Sequence, residues 1–370
     1  MNDASSRPNY QFGVELEVFL VLKSFRQNVA EDGTMKDNFE ERADHIVRLY
    51  NNALSPQGEA DRNYPRMVRL TPSQSSSVIV IHSRRWEFAN PWQIKDEPTL
   101  YMYGIDQPGG WPVEFASPIF DYQLMMGDHI IRGPCRHICP WVTSIKKFFE
   151  ILQDQAIVLK NYKCALQVSV SANDRYGWDS LDQVKSLSKS ILYFERAIRS
   201  FLPQYRQDND YAKWNGSRTQ VTSTTTYMNP QFPSVSNIES RIALVDACAT
   251  VEDLVRLMNN RHKRWSWNFT ELQKNPNSNF IYGRVEFRSP PGVDNWSECV
   301  AWIHFTVEFL HAAISTNATM HRLGQFSRDL TGLIKFLDSV PPLLTRGLKA
   351  TYRRELTFPD HWIPDIEPIL

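Results

Sequence analysis

Hydrophobic and polar positions alternate most cleanly near the N-terminus, where FGVELEVFLVL from Phe12 onward sets Val14, Leu16 and Val18 against Glu15 and Glu17. Strand residues i and i+2 share a face, so this pattern predicts a strand with one apolar and one acidic side. The same parity recurs twice. In Leu166–Ser171 three apolar residues oppose Gln167, Ser169 and Ser171, and in Arg284–Arg288 Val285 and Phe287 oppose Arg284, Glu286 and Arg288. Shorter strands are predicted at Ser77–His82, within Asn90–Leu100, near Val113–Ala116 and near Thr224–Met228, with Pro98 arguing against a central position for the second. Between them the apolar spacing turns helical. It predicts helices over Glu40–Leu54, Pro140–Asn161, Leu181 to about Pro203 with Ser180 as N-cap, 238–262, and from an Asp294 cap to about Ser315. The last 50 residues read as helical with a Pro-rich end.

Alternating strands interleaved with long helices predict α+β: one antiparallel sheet with helices on one face. No repeat or shift of composition marks an internal boundary. We expect a flexible tail over 1–11, one domain over 12–320 and a helical extension over 321–370.

Composition narrows the function. Lys+Arg and Asp+Glu number 41 each, so no basic surplus favours nucleic acid or a membrane surface. No run of about 18 wholly apolar residues is evident, so no membrane-crossing helix is expected. The N-terminus lacks the basic and apolar regions of a signal peptide. Five cysteines, an odd number, suit reduced thiols and a cytoplasmic setting.

The polar strand faces carry the candidate chemistry. Glu15 and Glu17 on one strand, Glu114 on another and Glu286 on a third are oxygen donors of the kind that hold Mg²⁺ or Mn²⁺. Arg288 beside them suits phosphate oxygens. A single alternating strand is as readily explained by a merely wet face, but Glu-x-Glu and Glu-x-Arg together suit a platform for Mg–ATP. No Walker motif, dinucleotide fingerprint or kinase signature competes.

Four segments, in order, resemble the amidoligase family, a branch of the glutamine synthetase-like carboxylate–amine ligases. They are GVELE at 13–17, WPVEFASPIF at 111–120, the helix ending in FLPQYRQDNDY at 201–211 and GRVEFR at 283–288, before a helix bearing Trp302. The resemblance spans about residues 12–315. It implies an antiparallel half-barrel sheet that uses ATP and a divalent metal to make an acyl phosphate, which an amine converts to an amide. It implies Glu15, Glu17, Glu114 and Glu286 as metal ligands, and Arg288 with Glu286 and Arg206 as catalytic groups. Arg206, Asn209 and Tyr211 would hold nucleotide or substrate. Asp96 falls roughly where the family has an aspartate. The family's His-x-His strand is here Gln167-Val168-Ser169, so neutral groups take the imidazole positions beside the nucleotide. Either nucleotide and metal are held differently or part of the ligase chemistry is lost. The partners implied are a small-molecule carboxylate and an amine: an amino acid, peptide or specialised metabolite. The alternatives are an inactive relative binding nucleotide, metabolite or protein, and ATP-independent acyl transfer on the same fold.

Other clusters read as ordinary structure. Cys135-x-His137-x-Cys139 lacks the fourth ligand and second pair of a zinc site. Cys164 is expected as a buried small hydrophobe, and His304 and His311 as packing residues. RHKRWSWNF at 261–269 is expected to pack rather than to stack a base. The Ser/Thr-rich stretch 217–226 is expected as a loop over the sheet.

Overall fold

The computed structural model describes residues 10–23, 39–54, 64–70, 91–101, 110–122, 140–172, 178, 180–207, 209–216, 237–260, 262–272, 283–341 and 343. In chain order the elements are β1 (Tyr10–Leu22), α1 (Phe39–Ala53), β2 (Met67–Arg69), β3 (Trp92–Asp96), α2 (Pro98–Tyr101), β4 (Trp111–Ala116), β5 (Phe120–Asp121), α3 (Pro140–Gln155), β6 (Ala156–Leu159) and β7 (Leu166–Ala172). They continue with α4 (Leu181–Ser200), α5 (Gln204–Gln207), α6 (Ile238–Ala247), α7 (Val251–Asn259), β8 (Trp267–Asn268), β9 (Arg284–Phe287), α8 (Trp296–Thr316), α9 (Met320–Leu323) and α10 (Leu330–Asp338). Helices and mostly antiparallel strands are thus mixed along the chain. The strands expected at 77–82 and 224–228 lie outside the described residues, as do 135–139, 217–226 and all of 344–370.

The chain forms two compact units, neither contiguous. One comprises Met1–Gln11, Gln167–Pro290 and Ala301–Leu370; the other comprises Phe12–Leu166 and Pro291–Val300.

In the unit beginning at Phe12, β4 pairs antiparallel with β1, placing Glu17 opposite Glu114 and Val18 opposite Val113. β3 pairs antiparallel with β4, and β2 lies parallel to β3. Pro98 starts α2 just past β3, so it does not interrupt that strand. β6 pairs with Phe19–Leu22 of β1. Residues 156–159 were expected inside a helix, but Ile157 and Val158 are β-branched and the open edge of β1 takes them. The apolar face of the sheet is covered by α3, whose Phe148 stacks on Trp92 at 3.9 Å between centroids and meets Phe115 edge-on at 5.2 Å. Such aromatic pairs add to the area they bury.

In the other unit β9 lies between β7 and β8, all antiparallel. Its apolar side carries Phe287, stacked on Trp267 at 4.3 Å and close to Trp302 and Phe305 of α8. Trp265 and Trp267 are therefore core residues, as expected. Ser180 caps α4 by accepting from the Gln183 amide. The predicted helix over 238–262 is two helices, because Thr250 and Asp253 form a capping box that restarts the chain at α7.

The start of α8 is capped by Asn295 rather than Asp294: its Oδ1 accepts from the Glu298 amide at 2.9 Å, while Asp294 pairs with Lys160. α8 has no run of about 18 wholly apolar residues, yet it is long and apolar enough to cross a membrane by length and composition alone. It is mostly buried in protein, which is the setting of a core helix.

Candidate functional site

Two groups of polar side chains stand out, one in each unit. In the unit beginning at Phe12, β1 buries Val14, Leu16 and Val18, which leaves Glu15 and Glu17 half-buried on the opposite face. The register sets Glu17, Glu114 and Lys95 in a row across β1, β4 and β3. Glu97 follows Lys95 by two residues. Oxygens of Glu17, Glu97 and Glu114 all lie within 4.8 Å of one another. Glu114 is only 5% exposed, and Lys95 Nζ sits 2.5 Å from its Oε1.

The charge balance there is tight. Burial, then the charge of Glu15, pushes Glu114 well above the usual carboxylate range, although Lys95 opposes this. Burial lowers Lys95, but Glu15 and Glu114 outweigh it and hold the ammonium above its ordinary value. Glu97 Oε1 also accepts from the Thr99 amide at 3.0 Å and from the Thr99 hydroxyl.

The backbone under Glu15 and Glu17 is pinned. Ser117, the serine of the Glu-x-x-Ser-Pro segment, accepts the Val14 amide through Oγ at 2.8 Å and gives its own amide to the Val14 carbonyl. Gly292 packs where an added Cβ would meet Cys164 Cβ at 2.5 Å and the Glu17 carbonyl at 3.3 Å. Cys164 is buried there, as expected.

In the other unit, Glu286 Oε2 accepts from Asn268 Nδ2 and from Arg288 Nη1, each at 2.9 Å. Arg288 Nη1 also donates to Gln167 Oε1. Burial would raise Glu286, but Arg288 and Asn268 outweigh it and hold the carboxyl below its ordinary value. Ser169 lies half-buried opposite Glu286 in the ladder.

No family model matches the chain, and no curated protein does. Twelve solved chains match. One, a GmaS/ADP complex, shows 11% identity, covers 96% of this chain and 69% of its own, and has a TM-score of 0.40. So distant a likeness carries no functional argument.

Several expected site residues lie outside the trio or make contacts within the protein. Glu286 is not among the converging carboxylates; it is bonded to Arg288 and Asn268. Glu15 is outside the converging trio and acts on it through charge. Arg206 is 1% exposed and gives Nε to the Ser289 carbonyl at 3.0 Å and Nη2 to the Arg288 carbonyl at 2.7 Å. Asn209 accepts the Tyr211 amide, and the Tyr211 carbonyl faces Arg288 Nε at 3.5 Å. The Arg206-x-x-Asn209-x-Tyr211 segment therefore shapes the surroundings of Arg288. These are positioning contacts within the protein.

Lys95, Glu97 and Asn268 were missed. Parity could have found the first two, since Lys95 and Glu97 alternate with Asp96, which is exposed at the end of β3. Nothing in the sequence marks Asn268.

Proposed function

We propose that the chain is an ATP- and divalent-metal-dependent carboxylate–amine ligase. The convergence of Glu17, Glu97 and Glu114 carries the reading. Their donor set fits Mg²⁺ or Mn²⁺: hard oxygens only, three carboxylates against the one ammonium of Lys95. Glu17, Glu97 and Glu114 would hold the ion, which would supply positive charge to offset that of phosphate. Arg288 is permanently cationic and shaped for phosphate oxygens, and Gln167 and Glu286 hold its guanidinium. The γ-phosphoryl group would pass to a carboxylate oxygen, and an amine would attack the acyl carbon and expel phosphate. The substrates in this reading are a small carboxylate and an amine, drawn from amino acids, peptides or specialised metabolites.

A second reading, an inactive relative that binds nucleotide, metabolite or a protein partner, has its own support. Lys95 already neutralises Glu114, and Arg288 is already engaged by Gln167 and Glu286.

The heat-denaturation midpoint with and without Mg–ATP tests both, in wild type and Glu17→Gln. The ligase reading expects a rise in wild type that the variant lacks, and ADP or AMP release with some member of a panel of acids and amines. A rise without release favours the binding reading; no rise and no release sinks both.

A further inference from the structure

We propose that Lys95 is a built-in counter-cation of the carboxylate trio and competes there with the divalent ion. This rests on the reading of Glu17, Glu97 and Glu114 as a metal site. Lys95 faces Glu114 across the β3–β4 ladder, and its Nζ sits 2.5 Å from Oε1 of that carboxylate. Glu114 is the most buried of the three, so a metal held by the trio must use the carboxylate the ammonium serves.

A protonated lysine has three donors and no lone pair, so it cannot join the coordination shell. It can only repel an arriving cation, and repulsion between charges a few ångströms apart is strong in partly buried surroundings. Entry of a divalent ion therefore requires Nζ to leave Glu114. The side chain is 29% exposed and flexible, which gives it a way out. Lys95 thus sets the threshold for metal. Free ions meet an occupied carboxylate, whereas an ion arriving with phosphate brings oxygens that can accept the displaced ammonium.

The test is a Mn²⁺ titration of the whole protein followed by electron paramagnetic resonance, in wild type, Lys95→Met, Lys95→Gln and Lys95→Arg. The neutral variants should bind Mn²⁺ at least tenfold more tightly than wild type, and Lys95→Arg, which keeps the charge, should not. Lys95→Gln gives the same comparison should Lys95→Met fail to fold. A second readout is thermal: Mn²⁺ should raise the denaturation midpoint of a neutral variant more than that of wild type. Equal Mn²⁺ affinity in wild type and the neutral variants overturns the competition while leaving the metal site standing. No bound Mn²⁺ in any of the four overturns the metal site as well.

Discussion

Arg288 donates through Nη1 to Glu286 Oε2 at 2.9 Å, from two positions further along the chain, just past the end of β9. Both side chains are about 90% buried or more, so each charge depends on the other. Removing one partner of such a pair is costly because the survivor is left buried and uncompensated.

Arg288→Met is therefore expected to destabilise the protein by about 3–5 kcal/mol at pH 7. The cost should shrink in acid. Glu286 is held below its ordinary value, so its contribution is present above the unfolded carboxyl's value of about 4.3 and fades as pH falls through the lower folded one. Urea denaturation of both proteins at pH 7 and at about pH 3 checks this. An equal gap at the two pH values contradicts the pairing.

Glu195 carries the opposite dependence. Its Oε1 accepts the Gly216 amide at 2.9 Å, and burial pushes the carboxyl up to about 7, against the pull of that amide and of Arg241 and Arg199. The folded form thus binds a proton that the unfolded form has released, and stability falls as pH rises from about 4.5 to 7. The contribution is of order 3 kcal/mol. Glu195→Gln should flatten this slope, which denaturation midpoints across pH 5 to 8 would reveal; an unchanged slope would refute the assignment.

How much of this could be read from the sequence depends on the range of the interaction. The parity of β1 is local, and Glu15 and Glu17 fell on the expected face. The boundary between α3 and β6 is not local, because Ala156–Leu159 becomes a strand only where Phe19–Leu22 can pair with it. Motif spacing located Arg206, Asn209 and Tyr211 but could not assign their use. An arginine that holds two backbone carbonyls and one that holds a phosphate look alike in a sequence. Glu97 was hidden by the nearby Asp96, although the parity of β3 carried two residues past Lys95 assigns Glu97, not Asp96, to the face of the cluster.

Gly292→Ala tests how the trio's backbone is held. The new methyl group would meet Cys164 Cβ at 2.5 Å and, at 3.2–3.3 Å, the backbone of Cys164 and Glu17, none of which is the end of a flexible side chain. Overpacking of this kind costs about 1–3 kcal/mol. The variant should unfold at lower urea and bind Mn²⁺ more weakly, because β1 must shift at Glu17. Wild-type stability and affinity together would show that the contact has slack.

The interleaving of the two units has a consequence for anyone cutting the gene. The chain passes from one unit to the other four times, at residues 11–12, 166–167, 290–291 and 300–301. No single truncation isolates either unit. An expression fragment ending near residue 166 would omit Pro291–Val300, and with it Gly292 beside Glu17 and the Asp294 and Glu298 partners of Lys160. Even the carboxylate trio, whose members all precede residue 115, draws on a ten-residue insert from the far end of the sequence.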